Sequence, residues 1–325
     1  MVELGVRFPT NFDPQDIIDS AKYAEDLGYT SLWMQSDLSP QVLSVVATKT
    51  SKIQLGTGIL SIYRHDPNLI ALQAELMDTL SHGRLILGLG SSTPPLVERV
   101  GLKFEKPLGR MEDYIKLVNM YLTERRVNYK GKVFTIERGQ GIEEPFRKHI
   151  PIYISALNPK MLHLTGALAD GVIANVPSVE TVKQSVEWLN EGARSAGRDP
   201  SSLVFAAYVT GCIDDDMAAS VKACRPTVAN YSIAPFYKDM IARSFPEEVK
   251  TANDLFFVKN ERQRSAESIP DRMVQAMCLC GNREQFRARV DEYTKAGLEK
   301  LVFCPAPTGD DPVGNTKKQL ADAMS

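Results

Sequence analysis

The stretch 53–90 reads IQLGTGILSIYRHDPNLIALQAELMDTLSHGRLILGLG, which divides into a strand, a turn, a helix and a second strand. Asp66 followed by Pro67 supplies a side-chain cap and a first-turn residue that needs no N–H partner. Ile70, Ala74, Met77 and Leu80 then recur at helical spacing until Gly83 ends the helix. The flanking runs IQLGTGI and RLILGLG are apolar almost throughout, as expected of parallel strands covered on both faces. Each leads into glycine or serine at its C-terminal end, which leaves room there for something flat and anionic. This segment is therefore the expected floor of an active site.

The same alternation extends in both directions. LGVRFP, TSLWM, PIYISAL, DGVIAN, LVFAAYVTGCI and EKLVFCPAP are further strand candidates, making eight with the two already read. Asp13 and Pro14 open a helix carrying Ile17, Ile18, Ala21, Ala24 and Leu27, and Gly28 stops it. Helical patterns also fall at 111–122, 159–168, 179–196, from 217 onwards and at 283–296, while RVNYKGKVFTIE alternates around Lys130 and Gly131 like a surface hairpin. Eight strands in one alternating series predict an α/β fold of the (β/α)8, or TIM barrel, type rather than a doubly wound open sheet. The charge-rich residues 231–271 interrupt the series and read as a helical insertion between the seventh and eighth strands, too polar for a core element. We expect one barrel domain over 1–325, with this insertion placed to cover its mouth.

Composition narrows the function classes. Apolar residues make up 43% and charged residues 24%, ordinary proportions for a globular enzyme. Lys plus Arg (38) nearly cancel Asp plus Glu (40), so bulk charge argues for neither nucleic acid nor a membrane surface as partner. No apolar run approaches the roughly 20 residues needed to span a bilayer. MVELGVRFP lacks a basic segment followed by an apolar core, so a cytoplasmic protein is expected. Cys212, Cys224, Cys278, Cys280 and Cys304 are an odd number without disulfide-scaffold density, and the spacing of Cys278 and Cys280 is too tight for a usual zinc knuckle. Buried small side chains are the better reading, and no metal site is expected.

Chemistry in a parallel barrel belongs at the C-terminal ends of the strands. The candidates there are Arg7, Pro9, Ser36, Asp37, residues 58–61 and 90–93, residues 155–158, Asn175, Thr210 and Pro305. They include many small residues and few acids. No Ser-His-Asp set and no suitably separated carboxylate pair stands out. A site so poor in acid–base groups usually takes its chemistry from a cofactor. Ser155, Ala156, Leu157 and Asn158 precede a helix and suit an anion held by backbone N–H groups, with Lys160 nearby; a plain strand-to-helix loop capped by Asn158 explains them equally well. Gly88 and Gly90 lack the third glycine of a dinucleotide fingerprint, and a strand kink accounts for them too. Gly56, Thr57, Gly58 and Ile59 suit a bulge under a flat ring, although a glycine-rich strand end is the commoner explanation.

On these residues the chain resembles the bacterial luciferase-like flavin and deazaflavin oxidoreductases, and within them the coenzyme F420-dependent methylenetetrahydromethanopterin reductases. The resemblance is carried by AEDLGYTSLW, LGTGILSIYRHDP with LSHGRLILGLG, IPIYISALNPKMLHLTGALADGVIAN and GNREQFRARVDEYTKAGLEKLVF. It implies a barrel enzyme that transfers a hydride between reduced F420 and a pterin-like or other small-molecule substrate. A monooxygenase using FMN, or a barrel that binds flavin or pterin without turnover, is the alternative. The resemblance also implies a cis peptide at Gly58-Ile59 beneath the ring, with Leu60, Ser61, Ser36, Ser91 and Asn175 on the cofactor side. Ser155, Ala156, Leu157 and Asn158 would hold the phosphate tail. Arg7, Asp37 and Thr93 would face the substrate as catalytic residues, and a homodimer or homotetramer built on helices of the second and third units is implied. Three departures from the family pattern fall on the substrate side. Arg7 stands where the reductases carry glutamate, Ser36-Asp37 replaces Asp-His, and Ser92-Thr93 replaces Gly-Asp. Arg7 suits an anionic substrate group better than proton donation.

Overall fold

The computed structural model describes residues 2–8, 12–35, 39–306 and 310–325. Parallel strands β1 (Glu3–Arg7), β2 (Ser31–Met34), β3 (Gln54–Thr57), β4 (Leu85–Gly90), β5 (Ile152–Ile154), β6 (Gly171–Asn175), β7 (Val204–Ile213) and β8 (Lys300–Pro305) pair in chain order. Strand β8 pairs back onto β1, so the sheet closes into the expected eight-stranded barrel. Helices α1 (Pro14–Leu27), α2 (Ser39–Lys49), α3 (Pro67–Leu80), α4 (Pro107–Thr123), α5 (Pro159–Leu168), α6 (Val179–Ser195), α7 (Met217–Ile233), α8 (Arg283–Lys295) and α9 (Pro312–Met324) lie between and after the strands. The cap reading holds in atomic detail: the Asp13 side chain accepts from the Gln15 N–H, and that of Asp66 accepts from the Leu69 N–H at 2.9 Å. The hairpin pairs Arg126–Lys130 with Thr135–Gln140 outside the barrel. Among the described residues, no helix is long and apolar enough to cross a membrane.

The strand period of two sorts side chains into two cores. Leu32, Leu55, Leu85, Leu87, Ile152, Val172, Phe205, Leu301 and Phe303 face the helices. Trp33, Ile86, Tyr153, Ile173, Ala206, Tyr208, Val302 and Cys304 form a separate cluster inside the barrel. At the N-terminal end the buried Lys300 ammonium meets Gln54 Oε1 at 2.5 Å and Glu3 Oε2 at 2.8 Å, satisfying its charge.

Between β7 and β8 the chain passes through α7 and the short helices Tyr237–Ile241, Pro246–Asn253, Arg262–Glu267 and Asp271–Met277. A π-helical turn, Asp254–Val258, joins two of them, and Leu279–Gly281 adds a strand beside the end of β7. The expectation that this segment is too polar for a core is corrected. Met240, Ile241, Val249, Ala252 and Ile269 are buried with Val221, Val228, Met273 and Val274 in a cluster of their own. Average composition hides this because each short helix contributes only a few apolar residues and leaves its charges in solvent. All five cysteines are buried and free, four of them in this cluster and Cys304 inside the barrel.

Two charged side chains hold the turn that launches β3. Glu25 accepts from the Ser51, Lys52 and Ile53 amides at 2.8, 2.7 and 2.9 Å. Arg84 donates to the carbonyls of Ala47, Thr50, Ile53 and Ser81, closing the C-terminal end of α2. Burial pushes the Glu25 pKa up, but the three amides outweigh it and bring it down to about 2. An unfolded glutamate titrates near 4.3, so the stabilisation is complete above about pH 4.5 and is lost as pH falls toward 2. Glu25→Gln is expected to lower unfolding free energy by about 2–3 kcal/mol at pH 7 and by little at pH 2. Urea denaturation of both proteins across that range checks this, and a pH-independent gap would contradict it.

Candidate active site

Strand β3 stops at Thr57, and the Gly58-Ile59 peptide that follows is cis, as the resemblance implies. The chain resumes in Leu60 and Ser61, which pair with Leu89 and Gly90 of β4. Three contacts fix this bulge. The Gly58 N–H donates to the Met34 carbonyl at 2.6 Å, the Gly88 N–H donates to Thr57 Oγ1 at 2.8 Å, and the Tyr208 hydroxyl donates to the Gly58 carbonyl at 3.1 Å. The glycines are required by close approach. A Cβ on Gly58 would stand 1.8 Å from the Tyr208 oxygen, and one on Gly88 would stand 1.8 Å from the Thr57 carbonyl oxygen. Gly88 thus makes space for the neighbouring strand, a reason that neither the fingerprint nor the kink reading supplied.

Tyr208 is central to the mouth of the barrel. Its ring packs edge-on to Trp33 at 6.1 Å, and Trp33 leans on Tyr153 at 5.8 Å. The Arg7 guanidinium lies over the Tyr208 ring, 5.1 Å from its centroid, and donates to Gln35 Oε1. Asn175, beside Tyr208 in the sheet register, donates to the Tyr237 hydroxyl at 3.4 Å, and Tyr237 packs on Tyr231 at 4.6 Å. Burial drives the Tyr208 pKa well above its ordinary value, despite the opposing pull of Arg7. Burial, reinforced by Tyr231, pushes Tyr237 up to about 12. Both phenols are therefore neutral hydrogen-bond donors at neutral pH.

The loop after β5 forms the second part of the site. The Ser155 N–H donates to the Leu89 carbonyl at 2.9 Å, tying this loop to the strand that bears the glycines. Ala156 is buried, Ser155 and Leu157 are half-buried, and Asn158 is exposed at the N-terminus of α5 without capping it through its side chain. Arg243 stacks on Trp188 and makes long contacts, 3.4 Å to Asn158 Oδ1 and 3.5 Å to the Leu157 carbonyl. Burial lowers the Arg243 pKa.

Across the mouth, Ser91 makes a 3.4 Å contact to the Ser92 carbonyl. Thr93 precedes the short helix Pro94–Glu98 with no side-chain cap bond. Pro9, Ser36 and Asp37 lie outside the described residues. The structure thus brings together Arg7, the 58–61 bulge, Asn175 and Ser155. Sequence reasoning missed Gln35, Tyr208, Tyr231, Tyr237 and Arg243. Tyr208 had a usable signal, since it stands in phase with the inward-facing Ala206 along β7. Tyr231, Tyr237 and Arg243 had none, because only packing of α7 and the insertion carries them to the mouth.

Residues 3–300 match the sequence profile described as luciferase-like monooxygenase. The chain is 28% identical over 328 residues to the 5,10-methylenetetrahydromethanopterin reductase of Archaeoglobus fulgidus, spanning 98% of this chain and 96% of the relative. It is also 28% identical over 313 residues to a putative coenzyme F420-dependent oxidoreductase of Mycobacterium tuberculosis, spanning 89% and 90%. The solved structure of the coenzyme F420-dependent tetrahydromethanopterin reductase from Methanopyrus kandleri aligns with a TM-score of 0.85 at 25% identity, covering 99% of this chain and 96% of that one.

The close approach at the bulge makes a double-mutant cycle informative. Gly58→Ala is expected to destabilise by about 1–3 kcal/mol through overpacking, and Tyr208→Phe by about 1 kcal/mol through the lost hydrogen bond. Because Tyr208→Phe removes the atom the new methyl would strike, the double variant should be more stable than the sum of the single losses. Simple additivity in chemical denaturation would show that the hydroxyl does not sit against Gly58.

Proposed function

The chain belongs to the luciferase-like monooxygenase family, and on that footing we propose that it is a coenzyme F420-dependent oxidoreductase acting on a pterin-like or other small substrate. The observation that carries this reading is the bulge. Gly58 and Gly88 let Tyr208 and the Thr57 carbonyl pack where a Cβ would stand, which fixes the backbone bulge at the strand end on which this reading sets a flat ring. The donor set agrees: buried neutral phenols stand on one side, and Arg243 meets the 155–158 loop on the other, where an anionic tail needs charge.

In this reading Gly58, Ile59, Leu60 and Ser61 support the ring, with Ser36, Ser91 and Asn175 at its margin. Ser155, Ala156, Leu157 and Asn158 hold the tail together with Arg243. When bound, F420 supplies the two-electron hydride chemistry that the side chains lack. The barrel contributes position: Asn175 holds Tyr237 by its hydroxyl, and Tyr208 holds the floor through the Gly58 carbonyl. Arg7, Asp37 and Thr93 face the substrate, and the short helices after α7 shield the mouth of a single barrel domain. Val45 of α2 and Leu69, Leu72 and Leu76 of α3 are 43–54% exposed, an apolar face suited to a second copy and hence to a homodimer.

Titration of the protein with F420 tests the cofactor reading. Saturable binding is expected, weakened roughly tenfold by Arg243→Ala, the equivalent of one charge-assisted hydrogen bond. Absence of F420 binding, or oxygen consumption with reduced FMN in its place, would overturn it. Light scattering should separately show a dimer that Leu72→Lys converts to monomer; a monomeric parent protein would rule out the α2–α3 interface.

A further inference from the structure

We propose that Arg7 anchors a carboxylate group of the substrate, an inference that rests on the active-site reading above and specifies the substrate class. Four other arginines of this chain are visibly compensated. Arg147 grips the buried Asp78 with two nitrogens, Arg283 meets Asp322, Arg225 meets Asp271, and Arg84 is satisfied by carbonyl oxygens. Arg7 differs from them. It sits at the C-terminal end of β1, half-buried, with the Gln35 amide oxygen taking one nitrogen and the face of Tyr208 beneath the guanidinium. Among the described residues, no carboxylate pairs with it. Tyr231 and Cys304 also hydrogen-bond the guanidinium, but a guanidinium carries five N–H donors, so donors remain beyond these neutral partners.

The surroundings sharpen the point. Burial opposes the Arg7 charge, while proximity to Cys304, Tyr231 and Tyr208 and a hydrogen bond to Tyr231 act the other way, and its pKa is raised. Burial also raises the Cys304 thiol and the Tyr208 and Tyr237 phenols, so these neighbours are neutral near pH 7. Among the described residues, the Arg7 charge thus stands among neutral aromatic and thiol groups, an arrangement that is unfavourable until an anion enters. A monoanion balances that charge, whereas a phosphate dianion would leave an excess negative charge against Trp33 and the phenols. A planar carboxylate also matches the free edge of the guanidinium fork. Tyr208 links this anchor to the floor, since the ring under Arg7 is the one whose hydroxyl holds the Gly58 carbonyl. A substrate fixed by its carboxylate at Arg7 would thus be held about one tyrosine ring away from the bulge.

Calorimetric titration of the full chain, with and without F420, uses benzoate, its neutral isostere benzamide, and inorganic phosphate as probes. Benzoate is expected to bind at least tenfold more tightly than either of the others. Arg7→Gln should remove that preference while leaving benzamide unchanged, and Arg7→Lys should restore part of it; circular dichroism and thermal melting establish that both variants fold. The proposal is overturned if the parent protein binds benzoate no better than benzamide, if phosphate matches benzoate, or if folded Arg7→Gln keeps the preference. The two readings separate cleanly. Carboxylate preference without F420 binding would sink the cofactor assignment alone, and F420 binding without carboxylate preference would sink the Arg7 assignment alone.

Discussion

Trp33 occupies the interior of the barrel with no exposed surface, and its packing sets the height at which everything above it stands. Its indole N–H is satisfied by Ser31 Oγ at 3.0 Å, so the ring is fixed by a hydrogen bond as well as by contact. Gly56 on the neighbouring strand lies flat against it, in register, where a side chain would collide with the ring. Tyr153 and Tyr208 lean on the other sides of the indole. Tyr208 then reaches the Gly58 carbonyl, which transmits the packing of the interior to the bulge. The floor of the site is thus an upper layer of the barrel core, and it inherits the rigidity of a close-packed interior.

The electrostatics of the mouth follow from the same burial. Low polarity around Tyr208, Tyr237 and Cys304 keeps them protonated, so the site offers neutral donors and no strong base among these groups. That is a poor arrangement for hydrolysis or proton abstraction and a suitable one for orienting a cofactor and a substrate that react with each other. The two arginines divide this space. Arg7 rises from β1 within the barrel, while Arg243 comes from the helices after α7 and approaches the 155–158 loop from outside.

Those helices also have a core of their own. They carry a hydrophobic cluster that continues through Cys212 and Val176 to the ends of β7 and β6. Phe236 extends the contact further, toward Phe104, which stacks on Tyr63 just beyond the bulge. The segment is consequently bonded to the barrel at several points around the rim, and its tyrosines belong to the same site as the strand-end glycines.

Much of this was legible in the residues themselves. Helix caps such as Asp13-Pro14 and Asp66-Pro67, apolar strands and glycine stops are local signals, because they arise from backbone geometry within a few residues. The family motifs added the position of the cis peptide. Sequence periodicity could not tell why Gly88 is glycine, since the atom it makes way for belongs to Thr57, thirty-one residues earlier. Nor could it bring Tyr231, Tyr237 and Arg243 to the mouth, or leave Arg7 without a carboxylate among the described residues. By itself the sequence determined the order of the elements and the kind of cofactor platform. Only tertiary packing decided which side chains meet over that platform, because their encounter depends on contacts between residues far apart in the chain.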